Sequence, residues 1–161
     1  MDAVFVAVST GGTLAGIGRY FREVSPETRI IAVDARGSVA LGGDPGKRKL
    51  TGIGSSQRSE FVDAGHFDQL TYIEDCEAFA YCRALDSSTA IKIGGSSGAC
   101  LAACARYLQA HSEIERAVCI CADRGEHYAS SIFSDSWLLQ NGLEIGSRHL
   151  GPVDDIQLQG R

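Results

Sequence analysis

The chain has 161 residues and a formal net charge of −5 at pH 7, and its basic residues are scattered rather than clustered. This charge makes nucleic-acid binding a poor expectation, while 44% hydrophobic residues suffice for one globular domain with a core. No apolar run reaches the roughly 20 residues that cross a membrane. The start, MDAVFVAV, has no basic signal-peptide region, so we expect a cytoplasmic protein.

Short apolar strands alternate with helical patterns along most of the chain. In chain order the patterns predict a strand at 3–8, a helix at 13–24, strands at 29–35 and 69–74, a helix at 76–85 capped by Asp75, a strand at 90–93, a helix at 97–111 and a strand at 117–122. This alternation predicts an α/β fold, a doubly wound, mostly parallel sheet with helices on both faces. We expect one domain over 1–140, followed by a polar extension over 141–161.

One long segment, RGSVALGGDPGKRKLTGIGSSQR at 36–58, has no clear periodicity. It is far longer than the usual connection between a strand and a helix, and long ordered loops in compact domains tend to be functional. A disordered insertion is the alternative. The glycine pairs and the apolar residues within the segment favour an ordered loop.

A loop of glycine and hydroxyl residues joins the first predicted strand to the first predicted helix. It consists of Ser9, Thr10, Gly11, Gly12 and Thr13. Glycines let the backbone turn so that several N–H groups point at one spot, and the helix adds its positive end. With the hydroxyls as further donors, the loop suits a phosphate monoester. The alternative is a simple glycine turn in which Thr13 caps the helix.

Two well-known nucleotide-binding patterns do not fit this loop. The P-loop requires a Gly-Lys-Ser/Thr ending, and the dinucleotide fingerprint requires G-x-G where this chain has GGTLAG. Asp34, at the end of the second predicted strand, remains a candidate ribose ligand. A nucleotide-binding module is therefore a weak third hypothesis for function.

A second loop of the same kind, Gly94-Gly95-Ser96-Ser97-Gly98-Ala99, precedes the helix predicted at 97–111. Open α/β sheets bind ligands at the carboxyl ends of their strands, so two such loops predict one ligand held at two points. The alternative is a second capping turn with Ser97 as the cap. A third turn, at 123–126, follows the last predicted strand, and its simplest interpretation is a capping turn with a surface ion pair.

Six cysteines lie within the helical or strand patterns: Cys76, Cys82, Cys100, Cys104, Cys119 and Cys121. Cys100 and Cys104 are four residues apart, and Cys119 and Cys121 are two apart, so either pair could supply two metal ligands. No matching second pair or histidine cluster accompanies them. We therefore expect buried thiols and no metal site.

Four stretches together resemble a known family: STGGTLAGIGRY, TGIG, IGGSSGACLAA and DRGEHY. They resemble the fold-type II pyridoxal-phosphate enzymes of the cysteine synthase family, whose fold is like that of the tryptophan synthase β chain. Order and spacing agree across nearly the whole chain. GSVALGGDPGKRKLTGIGSS and ADRGEHYASSIFSDSWL look most like the branch that makes 2,3-diaminopropionate precursors for siderophores and peptide antibiotics, from O-phosphoserine and an amine-bearing amino acid, typically glutamate.

The resemblance implies a cofactor, pyridoxal 5′-phosphate, with its phosphate in the loop over residues 9–13. It places Ser96 at the family's hydrogen bond to the pyridine nitrogen. It also implies a substrate-side loop near the bound amino acid, formed by Thr51, Gly52, Ile53, Gly54 and Ser55. The implied reaction is β-replacement on an O-activated serine (O-phosphoserine or O-acetylserine) by an amine or thiol nucleophile. The implied partners are small amino-acid substrates.

The family's cofactor-bearing lysine lies in an N-terminal segment that has no counterpart here. The chain's lysines are Lys47 and Lys49 in the long loop and Lys92 in the strand predicted at 90–93, where an edge-strand charge is the simplest role. We therefore assign no catalytic residue and expect the chain alone to be inactive. The resemblance implies a homodimer in the full-length family, or a complementing N-terminal half. The alternative is a non-catalytic domain of the same fold that binds a phosphate ligand or a protein partner.

Overall fold

The computed structural model describes residues 1–146 and 150. The helices and strands are β1 (Ala3–Ala7), α1 (Gly12–Val24), β2 (Arg29–Ala35), β3 (Gln69–Ile73), α2 (Asp75–Thr89), α3 (Gly95–Ala110), β4 (Ala117–Cys119) and α4 (Asp135–Gln140), with short 3-10 helices at Ala64–His66 and Gly125–Tyr128. The strands form one sheet in the order β3-β2-β1-β4, and every pairing is parallel. The predicted α/β class is confirmed.

Both faces of the sheet are covered by helices, as predicted. On one face Val4, Val6 and Val8 pack with Leu14 of α1. On the other face the alternate residues of β1 and β2 pack against α2 and α3. Because successive strand side chains point to opposite faces, continuous apolar runs such as β1 supply both cores. Helices α2 and α3 are the most extensively packed pair, and a Cβ on Gly98 would overlap the Ala78 carbonyl oxygen.

The prediction of a strand at 90–93 is wrong. Helix α2 continues to Thr89, beyond the predicted end at 85, and Ala90 caps it in a left-handed conformation with φ 59°. Only Ile93 pairs with another backbone, in an isolated antiparallel bridge to Arg124. The last strand, predicted at 117–122, is shorter and includes only Ala117–Cys119.

Asp75 has a different role from the predicted one. Glu74 is the N-cap of α2, and Asp75 is the first helical residue. Its two carboxylate oxygens accept hydrogen bonds from the backbone N–H groups of Lys49 (2.6 Å) and Leu50 (3.0 Å). The carboxylate therefore anchors the long loop to the start of α2.

The long loop at 36–58 is ordered by hydrogen bonds between its own parts. The Val39 N–H donates to the Ser55 carbonyl at 2.9 Å, and the Gly46 N–H donates to the Gly37 carbonyl at 3.0 Å. The Ser55 N–H also donates to the Ser38 hydroxyl at 3.0 Å. This arrangement agrees with the predicted ordered loop rather than with a disordered insertion.

The predicted extension at 141–161 lies mostly outside the described residues, so its structure is not discussed and the proposed domain division stays a prediction. Lys92 is not on a strand; its ammonium lies 3.6 Å from the Asp86 carboxylate. Within residues 1–146 and 150, no helix is both long enough and apolar enough to cross a bilayer.

Candidate cofactor site

A cavity of about 130 Å³ lies at the carboxyl end of β1, where four separate segments meet. It is lined by Val6, Ala7, Ser9, Thr10, Gly11, Gly12, Thr13, Gly52, Ser96, Ile120 and Ala122. The cavity thus includes every residue of the predicted phosphate loop, one residue of the predicted substrate-side loop and the predicted ring-nitrogen contact. Residues more than 40 positions apart in the chain converge on one small volume.

The start of α1 offers unused hydrogen-bond donors to this cavity. Gly11, with φ 96°, is the N-cap and makes no side-chain capping bond, so the Thr13 cap considered above does not form. The first turn contains no acidic residue that would compete with an anion. A Cβ on Gly12 would have no atom within 4 Å, so space is open above the loop. Free N–H groups at a helix N-terminus are a ready anion site.

Ser9 is held differently from the other hydroxyl residues of the loop. Its hydroxyl donates to the Gly54 carbonyl at 3.1 Å, and the Gly54 N–H donates to the Val8 carbonyl at 2.7 Å. Thr10 and Thr13 make no side-chain hydrogen bond within the described part of the chain. Ser9 therefore joins the two loops, and the threonine hydroxyls remain available to a ligand.

Ser96 approaches the cavity from the first turn of α3. The residue is only 3% exposed, its side chain lines the cavity, and its hydroxyl makes no side-chain hydrogen bond within the described part of the chain. Gly94 caps the helix without a side-chain bond, so the Ser97 cap considered above does not form. A hydroxyl that borders a cavity and has no protein partner is free to donate to a ligand there.

The predicted substrate-side loop divides into residues with different surroundings. Gly52 lines the cavity, and a Cβ there would lie 3.9 Å from the Ser96 hydroxyl oxygen. Ile53 is buried in the core. Gly54 and Ser55 hold the loop through the bonds described above. Thr51 is exposed and does not line the cavity.

Sequence reasoning missed two groups of residues. Ile120 and Ala122 follow β4 and complete the cavity wall. In the sequence they are only the last part of the strand predicted at 117–122, and no motif marks them as part of a site. Asp123 accepts a hydrogen bond from the Tyr128 hydroxyl at 2.6 Å. Asp123 and Tyr128 both belong to the DRGEHY motif, but nothing in the sequence predicts that their side chains form a hydrogen bond.

The cysteines are not part of the cavity. Burial raises the pKa of the Cys82 and Cys100 thiols to about 12, so both stay protonated at neutral pH. The Cys119 thiol donates to the Cys100 carbonyl at 3.5 Å, and the neighbouring Cys104 thiol together with burial raises the pKa of Cys119. Within residues 1–146 and 150, no group of three or more histidine, cysteine or acidic side chains is placed to hold a metal ion.

Asp34 does not reach the cavity that a nucleotide would occupy. Its side chain is fully buried, and burial raises the pKa of the carboxyl, although the Ala35 N–H donates to it at 2.8 Å and opposes the rise. The ribose-ligand hypothesis therefore has no support from the described geometry. Within the cavity the ligand-facing groups are hydroxyls, backbone N–H groups and glycines.

The buried Asp34 predicts a specific pH dependence of stability. Because its folded-state pKa is raised, the unfolded chain loses the proton first, and stability falls as pH rises above the ordinary value of 3.8. Relative to Asp34→Asn, the wild type should lose free energy of unfolding as the pH is raised from below 3.8 toward neutrality. Urea titrations of both proteins across this range measure the difference. A constant difference would contradict the raised pKa.

The fold and the cavity define a class of protein: an α/β domain that binds a phosphate-bearing ligand at the carboxyl edge of a parallel sheet. Residues 1–123 match the family described as "Pyridoxal-phosphate dependent enzyme", and the chain belongs to this family. The family is pyridoxal-phosphate dependent, and the cavity fits that cofactor: a helix N-terminus without a side-chain cap for a phosphate, and the Ser96 hydroxyl, which makes no hydrogen bond within the described chain, on the cavity wall.

Individual relatives agree with this family. The chain is 41% identical over 137 residues to N-(2-amino-2-carboxyethyl)-L-glutamate synthase of Ralstonia nicotianae, covering 85% of this chain and 40% of the relative. The O-acetylserine-dependent cystathionine beta-synthase of Helicobacter pylori superposes with a TM-score of 0.70 at 31% identity, over 81% of this chain and 43% of that one. O-ureido-L-serine synthase superposes with a TM-score of 0.75 at 26% identity, over 87% and 47%. The chain thus spans less than half the length of these relatives.

Proposed function

We propose that this chain is the cofactor-binding portion of a pyridoxal-phosphate-dependent β-replacement synthase. The substrate would be an O-activated serine such as O-phosphoserine or O-acetylserine, and the nucleophile an amine or a thiol. The product would enter 2,3-diaminopropionate or cysteine biosynthesis. One observation carries the proposal: the phosphate loop, Gly52 and Ser96 line a single cavity. The name of one relative, an O-acetylserine-dependent cystathionine beta-synthase, supports the substrate class.

In this proposal each segment of the cavity has a separate task. The N–H groups at the start of α1, with the hydroxyls of Thr10 and Thr13, hold the phosphate. The Ser96 hydroxyl donates to the ring nitrogen and so keeps that nitrogen unprotonated. When bound, pyridoxal 5′-phosphate withdraws electrons and stabilises negative charge at the Cα of the amino acid. Gly52 leaves the space between these groups open for the substrate.

The lysines of this chain do not serve this cavity. Lys47, Lys49 and Lys92 all lie among the described residues, and none of them lines it. A base that moves the Cα proton must come within hydrogen-bond reach of it. The proposal therefore assigns that base, and the gripping of the substrate carboxylate, to a segment outside this chain.

Cofactor binding can be tested without activity by titrating the 161-residue chain with pyridoxine 5′-phosphate in a calorimeter. This probe has no aldehyde, so it cannot react with surface lysines. We expect saturable binding at one site, and Ser96→Ala should weaken it about 3- to 10-fold because one hydrogen bond is lost. A wild-type chain without saturable binding would contradict the proposal.

The matched control for this titration is Ser88→Ala. The Ser88 hydroxyl is exposed on α2 and donates to the Ala84 carbonyl at 2.9 Å, away from the cavity. Its removal should leave the dissociation constant unchanged. If both alanine variants weakened binding equally, the effect of Ser96→Ala would not come from a contact in the cavity.

A further inference from the structure

A segment at residues 59–66, which we call the strap, lies along α1. A Cβ on Gly18 would overlap the His66 carbonyl oxygen, so the strap packs directly on the helix backbone and leaves no room for a side chain there. The Arg22 guanidinium donates to the Gly65 carbonyl at 3.1 Å. The far end of the strap is therefore fixed to α1 itself.

Ser59 begins the strap beside the phosphate loop. Its hydroxyl donates to the Thr10 carbonyl at 2.6 Å, and its backbone N–H donates to the Ala40 carbonyl at 2.9 Å. The Phe61 N–H donates to the same hydroxyl oxygen at 3.3 Å. Because a carbonyl has no proton to give, Ser59 is the donor of the short bond to Thr10. The near end of the strap thus holds the phosphate loop by its backbone.

This bond determines which way the peptide between Thr10 and Gly11 faces. In a planar trans peptide the carbonyl and the N–H point in opposite directions, and every described peptide bond of this chain is trans. With its carbonyl bound to Ser59, the peptide directs the Gly11 N–H away from the strap. Gly11 lines the cavity and Ser59 does not, and the Gly11 N–H has no hydrogen-bond partner among the described residues.

Glycine at position 11 does not fix this orientation by itself. Gly11 has φ 96°, and half a turn of the peptide would bring it to negative φ, which glycine adopts as readily. The rotated peptide would aim the Thr10 carbonyl oxygen at the cavity, and the negative end of that dipole repels an anion. A Cβ on Gly11 would overlap the Ser59 hydroxyl oxygen and lie 2.5 Å from a Val62 methyl, so the strap also excludes larger residues.

We propose that Ser59 is a positioning residue of the anion site: its hydrogen bond to the Thr10 carbonyl keeps the Gly11 N–H turned toward the cavity, where it donates to a phosphate oxygen. The identity of that phosphate as the cofactor's rests on the proposed function; the orientation of the peptide does not. Ser59 acts through the peptide because it does not line the cavity. Without its hydroxyl, both orientations of the peptide become accessible.

The proposal is tested by titrating the 161-residue chain with inorganic phosphate while NMR follows the Gly11 amide proton. In the wild type, phosphate should shift this resonance to lower field in a saturable way, because the N–H donates to the anion. Ser59→Ala should raise the dissociation constant about 3- to 10-fold, since the rotated peptide competes with binding. Ser59→Thr keeps a hydroxyl and should bind like the wild type. An unchanged dissociation constant in Ser59→Ala, or no saturable shift in the wild type, would overturn the proposal.

Two controls separate this role from a general loss of structure. Ser88→Ala removes a hydroxyl that also donates to a backbone carbonyl, at 2.9 Å and away from the cavity, and it should leave phosphate binding unchanged. In Ser59→Ala, the Gly65 amide, which donates to the Asp63 carboxylate at 2.8 Å within the strap, should exchange its hydrogen at the wild-type rate. Faster exchange at Gly65 would show that the whole strap detaches, which contradicts a role confined to one peptide.

The pyridoxine 5′-phosphate titration distinguishes the two proposals. If the wild type binds both ligands, Ser59→Ala should weaken both about 3- to 10-fold, and unchanged binding of either would overturn the positioning role. If the wild type binds inorganic phosphate but not pyridoxine 5′-phosphate, the proposed function fails, while the phosphate titration still decides the role of Ser59.

Discussion

Replacing Gly98 by alanine should lower the free energy of unfolding by about 3 kcal/mol. Gly98 is buried where α3 crosses α2, and the added Cβ would overlap the Ala78 carbonyl oxygen and the Cys82 sulfur. The carbonyl belongs to the backbone of a helix, so it cannot move without separating the two helices. Urea unfolding followed by circular dichroism measures the change.

Gly16→Ala is the matched control for this substitution. Gly16 is also inside a helix, but it is exposed, and a Cβ there would have no atom within 4 Å. Alanine should therefore raise the free energy of unfolding by about 0.5–1 kcal/mol, its ordinary advantage over glycine in a helix. If Gly98→Ala were stabilising as well, the close contact between α2 and α3 would be wrong.

The Gly98 contact also bears on the cavity. Ser96 precedes Gly98 by two residues in the same helical turn, so any separation of α2 and α3 displaces the Ser96 hydroxyl from its buried position. We therefore expect Gly98→Ala to weaken pyridoxine 5′-phosphate binding even where the variant remains folded. Close helix packing and site geometry thus depend on the same glycine.

The first half of the fold could be predicted well because the signals that start and end its strands lie in neighbouring residues. β1, β2 and β3 are continuous or alternating apolar runs bounded by glycine, hydroxyl or acidic residues, and their observed ends agree with the predicted ends to within one residue. The few residues around each strand determine such boundaries. The phosphate loop was found for the same reason, since its glycines follow directly after a buried strand.

The errors came from short runs and from contacts distant in sequence. Residues 90–93 form an apolar run too brief to distinguish a strand from the end of a helix, and the Ser88 and Thr89 hydroxyls extend α2 by donating to carbonyls of its last turns. The sequence predicts Asp75 as a helix cap, but its carboxylate accepts a hydrogen bond from the Lys49 N–H of the long loop. No local pattern predicts a partner 26 positions away.

The same limit explains what was missed in the cavity. The phosphate loop, Gly52 and Ser96 carry recognisable motifs, and the structure brings them together. The bond between Ser9 and Gly54 and the bond between Tyr128 and Asp123 depend on side-chain directions that only the fold sets. Motifs thus pointed to residues that line one cavity, and the residues that hold them in place required the structure.

Grafting this chain onto its relative should produce an active enzyme. In the Ralstonia nicotianae synthase, the segment that matches would be replaced by the corresponding 137 residues of this chain. If these residues form the same cofactor cavity, the chimera should form the product in the relative's name, while the 161-residue chain alone should form none. Product formation measured by mass spectrometry gives kcat for both.

Variants of the chimera then separate catalysis from folding. Ser96→Ala should lower kcat about 100-fold, because one preorganised hydrogen-bond donor is lost where charge develops. Ser88→Ala should leave kcat unchanged. A chimera that folds and binds pyridoxal 5′-phosphate but forms no product would contradict the proposed activity. Equal losses from Ser96→Ala and Ser88→Ala would show that the effect of Ser96→Ala does not come from a contact of its hydroxyl in the cavity.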